Sequence, residues 1–326
     1  MEAKTEPQGN RPLHRGDVVV LRSAAEILET LDENGSLDGV PFMPEMLAHF
    51  GRRFTVSARV ERACDAVSRV RRIPDTVMLD DIRCDGSGHD GCQAGCKVYW
   101  KERWLRRVGG DDVIDEVVAQ GAYDELGKLA GRNTRAPGSE STNTIYRCQA
   151  TEFLGASELI PYWDARSFLR ELTSRNVSLW TFVRVMAGVL VNEPRRRWRG
   201  QHAFRQRGAS AAAPSATSAG LAPGSRVRVR SKSEIADTLD ADGKLRGLWF
   251  DREMIPYCGQ SATVRTKVER FINEQTGEMV ELASDCYILD GVVCKGYISD
   301  GRWLCCREIY SWWREAWLEP EPDSTA

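Results

Sequence analysis

Thirteen consecutive residues in the first third of the chain, from Cys84 to Cys96, hold three thiols and one imidazole: Cys84, His89, Cys92 and Cys96. Thiolate sulfur and imidazole nitrogen are the donors that zinc prefers. Four glycines in the same stretch, Gly86, Gly88, Gly91 and Gly95, allow the tight positive-φ turns needed to aim such groups inward. Cys92 and Cys96, one helical turn apart, can face a common point, and a helix N-terminus there would favour the thiolate that a metal needs. A histidine among the ligands suits zinc, whereas an iron-sulfur cluster takes mostly cysteine. The competing reading is packing. Cys92, Cys96, Trp100 and Trp104 recur every four residues, which predicts one apolar face of a closing helix on which cysteine serves as a small hydrophobe.

Other cysteines extend the question. Cys258, Cys286, Cys294, Cys305 and Cys306 lie within 225–320, a stretch without a histidine, enough thiols for a closed zinc site, although the adjacent Cys305 and Cys306 cannot easily aim at one centre. If His89 faced solvent, Cys148 could complete an all-thiolate site with Cys84, Cys92 and Cys96, because the Gly/Ser/Thr-rich stretch 138–144 before it gives it reach. Otherwise Cys148 is a small buried residue in a helix.

Catalysis has little support of its own. Only His14, His49, His89 and His202 are available to pair with a nucleophile, and His49 reads as a surface or packing residue. No glycine-rich phosphate loop, Gly-x-Ser-x-Gly elbow or His-Glu-x-x-His pair occurs, so no enzyme class is signalled; a metalloenzyme would need an open position in the Cys/His site. The run Arg195-Arg196-Arg197-Trp198-Arg199, with Phe204, Arg205 and Arg207, could track a phosphate backbone. It also stands at a helix end entering a linker, and the rest of the chain adds no basic surface, so nucleic acid is the lesser expectation.

These groups are carried on a repeated frame. Residues 16–62 align without a gap on 224–270, with 21 identities in 47 positions, among them Ser23/Ser231, Glu26/Glu234, Glu45/Glu253, Gly51/Gly259 and Arg62/Arg270. After a variable stretch Cys84 pairs with Cys294, Cys92 with Cys305, and Trp100 and Trp104 with Trp313 and Trp317. In each copy a strand (18–21) precedes a capping box that opens a short helix. A second short helix begins at Pro44, and strands follow at 54–60 and 77–82. The expected fold class is α+β: two homologous strand-and-helix modules, or short-stranded barrels, flanking a helical central segment. The boundaries are 14–108 for the first module with its Cys/His loop, 109–205 for the helical segment, 206–224 for an Ala/Ser/Pro linker and 225–320 for the second module.

The 326 residues carry a net charge of −2, with 42% hydrophobic and 28% charged residues. This is an ordinary globular composition without a field that would gather nucleic acid. Arginine supplies 37 of the 45 basic residues, a skew that fits a GC-rich genome. With no long apolar run and no signal-like start, a cytoplasmic protein without a membrane partner is expected, and ten cysteines there point to metal rather than disulfides. The expected partner is a protein or small molecule of unspecified kind.

The pattern Cys-Asp-Gly-Ser-x-His-x-Gly-Cys-Gln-x-x-Cys beginning at Cys84, the Trp100-Lys101-Glu102-x-Trp104-Leu105 segment and the run from Tyr146 to Glu152 resemble a bacterial family with no assigned activity. The likeness covers most of the chain and implies no site roles. The resulting expectation is a zinc-binding accessory protein using Cys84, His89, Cys92 and Cys96, with an open-site metalloenzyme, an iron-sulfur protein and a nucleic-acid-binding regulator as alternatives.

Overall fold

The computed structural model describes residues 11–65, 69–109, 119–139, 144–161, 164–198, 220–299 and 301–322. Met1–Cys92, Cys96–Leu179 and Ile272–Met279 form one unit, and Gln93–Gly95, Trp180–Phe271 and Val280–Ala326 form the other. Helix and strand are mixed, as the α+β expectation requires.

In the first unit, β1 (Val18–Leu21), β2 (Phe54–Arg59), β3 (Thr76–Arg83), β4 (Lys97–Lys101) and β5 (Leu105–Arg107) form an antiparallel sheet ordered β4-β3-β2-β1-β5. Strands β4 and β5 are therefore opposite edges, although only the 3-10 turn Glu102–Trp104 separates them in sequence. Four strand spacings across a flat sheet would measure about 19 Å, while three 3-10 residues rise only about 2 Å each. The sheet must curl into a half-barrel. A bulge between Val56 and Ala58 assists by tightening the local twist.

The half-barrel interior holds Val19, Val56, Leu79, Trp100 and Trp104, all fully buried. Ser23 and Glu26 form the expected reciprocal cap on α1 (Ala24–Leu28), which buries Ile27. Behind it, Thr30 accepts a 3.0 Å hydrogen bond from the Trp104 indole, and Phe42 meets that ring edge-on at 5.4 Å. Pro44 opens a 3-10 helix, Pro44–His49, that buries Glu45 and Met46.

The helix expected to carry Cys92, Cys96, Trp100 and Trp104 is absent. The four-residue spacing is there, but Val98, Tyr99 and Trp100 are β-branched and aromatic. They pair with β3 as a strand buried on both faces, and Trp104 reaches the core from the 3-10 turn.

After this sheet the described residues carry α2 (Gln120–Arg132), α3 (Phe153–Ala156), α4 (Ala165–Thr173) and α5 (Leu179–Trp198), together with a two-residue strand, Glu158–Leu159, between α3 and α4. Cys148 lies in the turn before α3 rather than within a helix. Helix α4 is fastened through buried charge. Arg62 donates to Ser167 Oγ and lies 4.0 Å over the Phe168 ring. Asn176 bonds both the Arg59 backbone N–H and C=O and the Glu171 carboxylate. Arg199, Phe204 to Arg207 and most of the 206–224 linker lie outside the described residues.

In the second unit, β6 (Arg226–Val229), β7 (Ser261–Lys267), β8 (Cys286–Val293), β9 (Tyr310–Arg314) and β10 (Leu318–Pro320) form a sheet ordered β9-β8-β7-β6-β10. A 3-10 turn, Glu315–Trp317, joins its edges, and its bulge falls between Val264 and Thr266. Ser231 and Glu234 cap α6 (Lys232–Thr238), and Thr238 accepts from the Trp317 indole at 2.9 Å. No helix among the described residues is long and apolar enough to cross a membrane.

Candidate metal centre

Strand β3 ends at Arg83, and its next residue, Cys84, starts a loop closed upon itself. The Cys84 N–H donates to the Cys96 carbonyl, and the Gly86 carbonyl accepts from both His89 and Gly91. The turn depends on glycine where the chain crosses itself. Gly86 has φ +76°, and a Cβ there would lie 2.0 Å from the Cys92 carbonyl oxygen. At Gly88 a Cβ would meet Glu45 Oε2 at 3.1 Å, so this glycine lets the loop close over the Pro44–His49 turn.

That closure brings three donors together. A carboxylate oxygen of Glu45, Cys84 Sγ and a ring nitrogen of His89 all lie within 4.8 Å of one another. His89 is 1% exposed. Its Nε2 lies 3.1 Å from the Arg147 carbonyl oxygen, and because a carbonyl can only accept, Nε2 donates; in the neutral imidazole Nδ1 then presents a lone pair. His89 Nδ1 and Glu45 Oε2 are both buried with no hydrogen-bond partner, a costly arrangement in a chain without a further ligand. Burial, reinforced by the Glu45 carboxylate, pushes the Cys84 thiol up. That environment opposes a free thiolate nucleophile, and a cation between the donors would reverse it.

The Arg147 carbonyl is held from several directions. The Arg147 N–H donates to Thr134 O at 2.8 Å, and its guanidinium reaches Asn34 O and Ser36 Oγ. Two residues on, buried Gln149 bonds Tyr99 N, Tyr99 O and Pro41 O. Such outer partners fix the orientation of a ligating imidazole. No protein-family model, curated protein or solved structure matches the chain.

Of the four expected ligands, Cys84 and His89 enter the trio and Cys92 and Cys96 do not. Cys92 Sγ accepts from the Ile272 N–H at 3.4 Å. Cys96 is close enough for its charge to raise Cys84. Cys148 neighbours Cys92, and burial pushes its thiol up. His49 packs edge-on against Phe54 and Trp100, at 5.5 and 5.9 Å, in keeping with a packing role.

Glu45 is the residue that sequence reasoning missed, because 39 positions separate it from Cys84 and carboxylates are common on helices. Its identity with Glu253 was the available signal. In the second unit, Glu253 Oε1 accepts from the Ile298 and Ser299 backbone amides. Ser299 stands five residues after Cys294, as His89 stands five after Cys84. Among the described residues no second trio of donors forms.

Proposed function

We propose that this is a zinc-binding accessory protein built from a tandem repeat, in which the first copy binds one ion through Glu45, Cys84 and His89. The observation that carries the reading is the buried pair of unpartnered donors, His89 Nδ1 and Glu45 Oε2, beside Cys84 Sγ. A mixed oxygen, sulfur and nitrogen set suits zinc and does not suit an iron-sulfur cluster. The tandem reading is supported by the common strand order and bulge of the two sheets and by their matching indole-to-threonine bonds. In the second copy two backbone amides take the place of a cation at the glutamate.

Three protein donors leave a fourth position, and this keeps an open-site metalloenzyme as the second reading. Cys96 filling that position would make the site closed and structural.

Metal content per chain tests both. Glu45→Gln, Cys84→Ser and His89→Ala should each lose most of the zinc, whereas Cys148→Ser should keep it. Loss in Cys96→Ser assigns the fourth position to that thiol; retention leaves it to water. Full retention in His89→Ala would sink the proposal, and broad absorption near roughly 400 nm would replace zinc by an iron-sulfur cluster.

A further inference from the structure

The second unit contains a cavity of about 630 Å³ between helix α5 and the loop that follows β8, a volume typical of small-molecule sites. Its apolar wall includes Val185 and Val189, each 4% exposed, and its aromatic surface includes Tyr297 and Trp303. Two cations line it, Arg184 and Lys295, and both are exposed. Among the described residues no carboxylate forms an ion pair with either. Among the described lining residues Glu253 is the one acid, and its Oε1 is engaged by the amides of Ile298 and Ser299. The charge offered to an occupant is therefore positive. The Arg184 guanidinium also lies 6.0 Å from the Tyr297 ring centroid, a placement that leaves cation and aromatic face side by side.

We propose that this cavity binds a small organic anion with a flat aromatic body, its acid group held by Arg184 and Lys295 and its ring laid among Tyr297, Trp303 and the valines of α5. The acid group gains charge-assisted hydrogen bonds, and the ring removes apolar and aromatic surface from water. Among the described lining residues no metal ligand set assembles, and binding is the whole of the assignment. It is independent of the Glu45, Cys84 and His89 site, which belongs to the other unit.

The aromatic sulfonate 8-anilinonaphthalene-1-sulfonate is a suitable probe for the full-length chain, with N-phenyl-1-naphthylamine as its uncharged analogue. Fluorescence titration should show saturable binding of the sulfonate at about one site per chain, with the uncharged analogue bound at least about tenfold more weakly, a loss expected for one charged contact. Lys295→Ala and Arg184→Ala should each weaken the sulfonate by about the same factor. Gly188→Leu should abolish binding by filling the cavity. It is a mild change, because a Cβ there meets only Asn192 Nδ2 at 3.8 Å and leucine suits a helix better than glycine. Trp180→Ala, on an exposed part of the same helix, should leave binding unchanged. Circular dichroism and melting temperature confirm that each variant is folded. Absence of binding, equal binding of the two dyes, survival of binding in folded Gly188→Leu, or loss in Trp180→Ala would each overturn the proposal.

Discussion

At the scale of single residues, the centre depends as much on what is missing as on what is present. Gly86 has no side chain because the Cys92 backbone occupies the place where one would stand, and its positive φ is strained for any other residue. Gly86→Ala should therefore misplace His89 and destabilise the first unit by several kcal/mol, ~2 or more, as overpacked or strained sites do. Zinc retention and a chemical denaturation curve check this, and wild-type behaviour in both would refute it. The glycine loop made Cys84 and His89 legible in the sequence, since donors and turn residues share one stretch. Glu45 was hidden because its role arises only when the Pro44–His49 turn meets the loop. Cys92 and Cys96 stand outside the trio, as adjacency in sequence does not state which way a thiol points.

At the scale of elements, the local signals that translated best were those satisfied within a few residues. The Ser23 and Ser231 capping boxes are examples, because cap, partner and helix are all local. Ser23→Ala should cost about 1 kcal/mol, measurable by denaturation, and Ser231→Ala should behave alike. Strand β4 was misread because the period of Trp100 and Trp104 suggested a helix, and the pairing with β3 that decides otherwise is not local. Helix α4 adds a pH dependence invisible in the sequence. Burial is the main cause that raises Glu171 from 4.5 to about 8, with Glu61 adding to it and Asn176, Arg62 and Arg170 opposing it. The folded protein thus keeps a proton that the unfolded chain releases above its ordinary value, so stability falls as pH rises between about 4.5 and 8. The slope should reach at most ~1.4 kcal/mol per pH unit for one proton. Glu171→Gln should flatten that part of the curve. A slope unchanged in the variant would assign the dependence to another group.

At the scale of the whole molecule, the zinc reading makes stability a function of metal concentration, because an ion that binds only the folded first unit adds to its free energy. Zinc at one hundred times its dissociation constant should add about 2.7 kcal/mol, seen as a higher melting temperature that EDTA reverses. Cys84→Ser should show no such response, and an equal response in that variant would place the ion elsewhere. The α+β class was readable because strand and helix patterns alternate along the sequence. The curl of each sheet was not, since it follows from which strands become edges. That curl also sets an order of events in time. Val19 pairs with Arg107, so the first strand of the half-barrel has no partner on one side until nearly the entire module has left the ribosome. Contacts so distant in sequence are slow to form. Until they do, β1 presents an open backbone edge to every other nascent strand. The first sheet thus spends its most vulnerable interval during synthesis, before its last strand arrives.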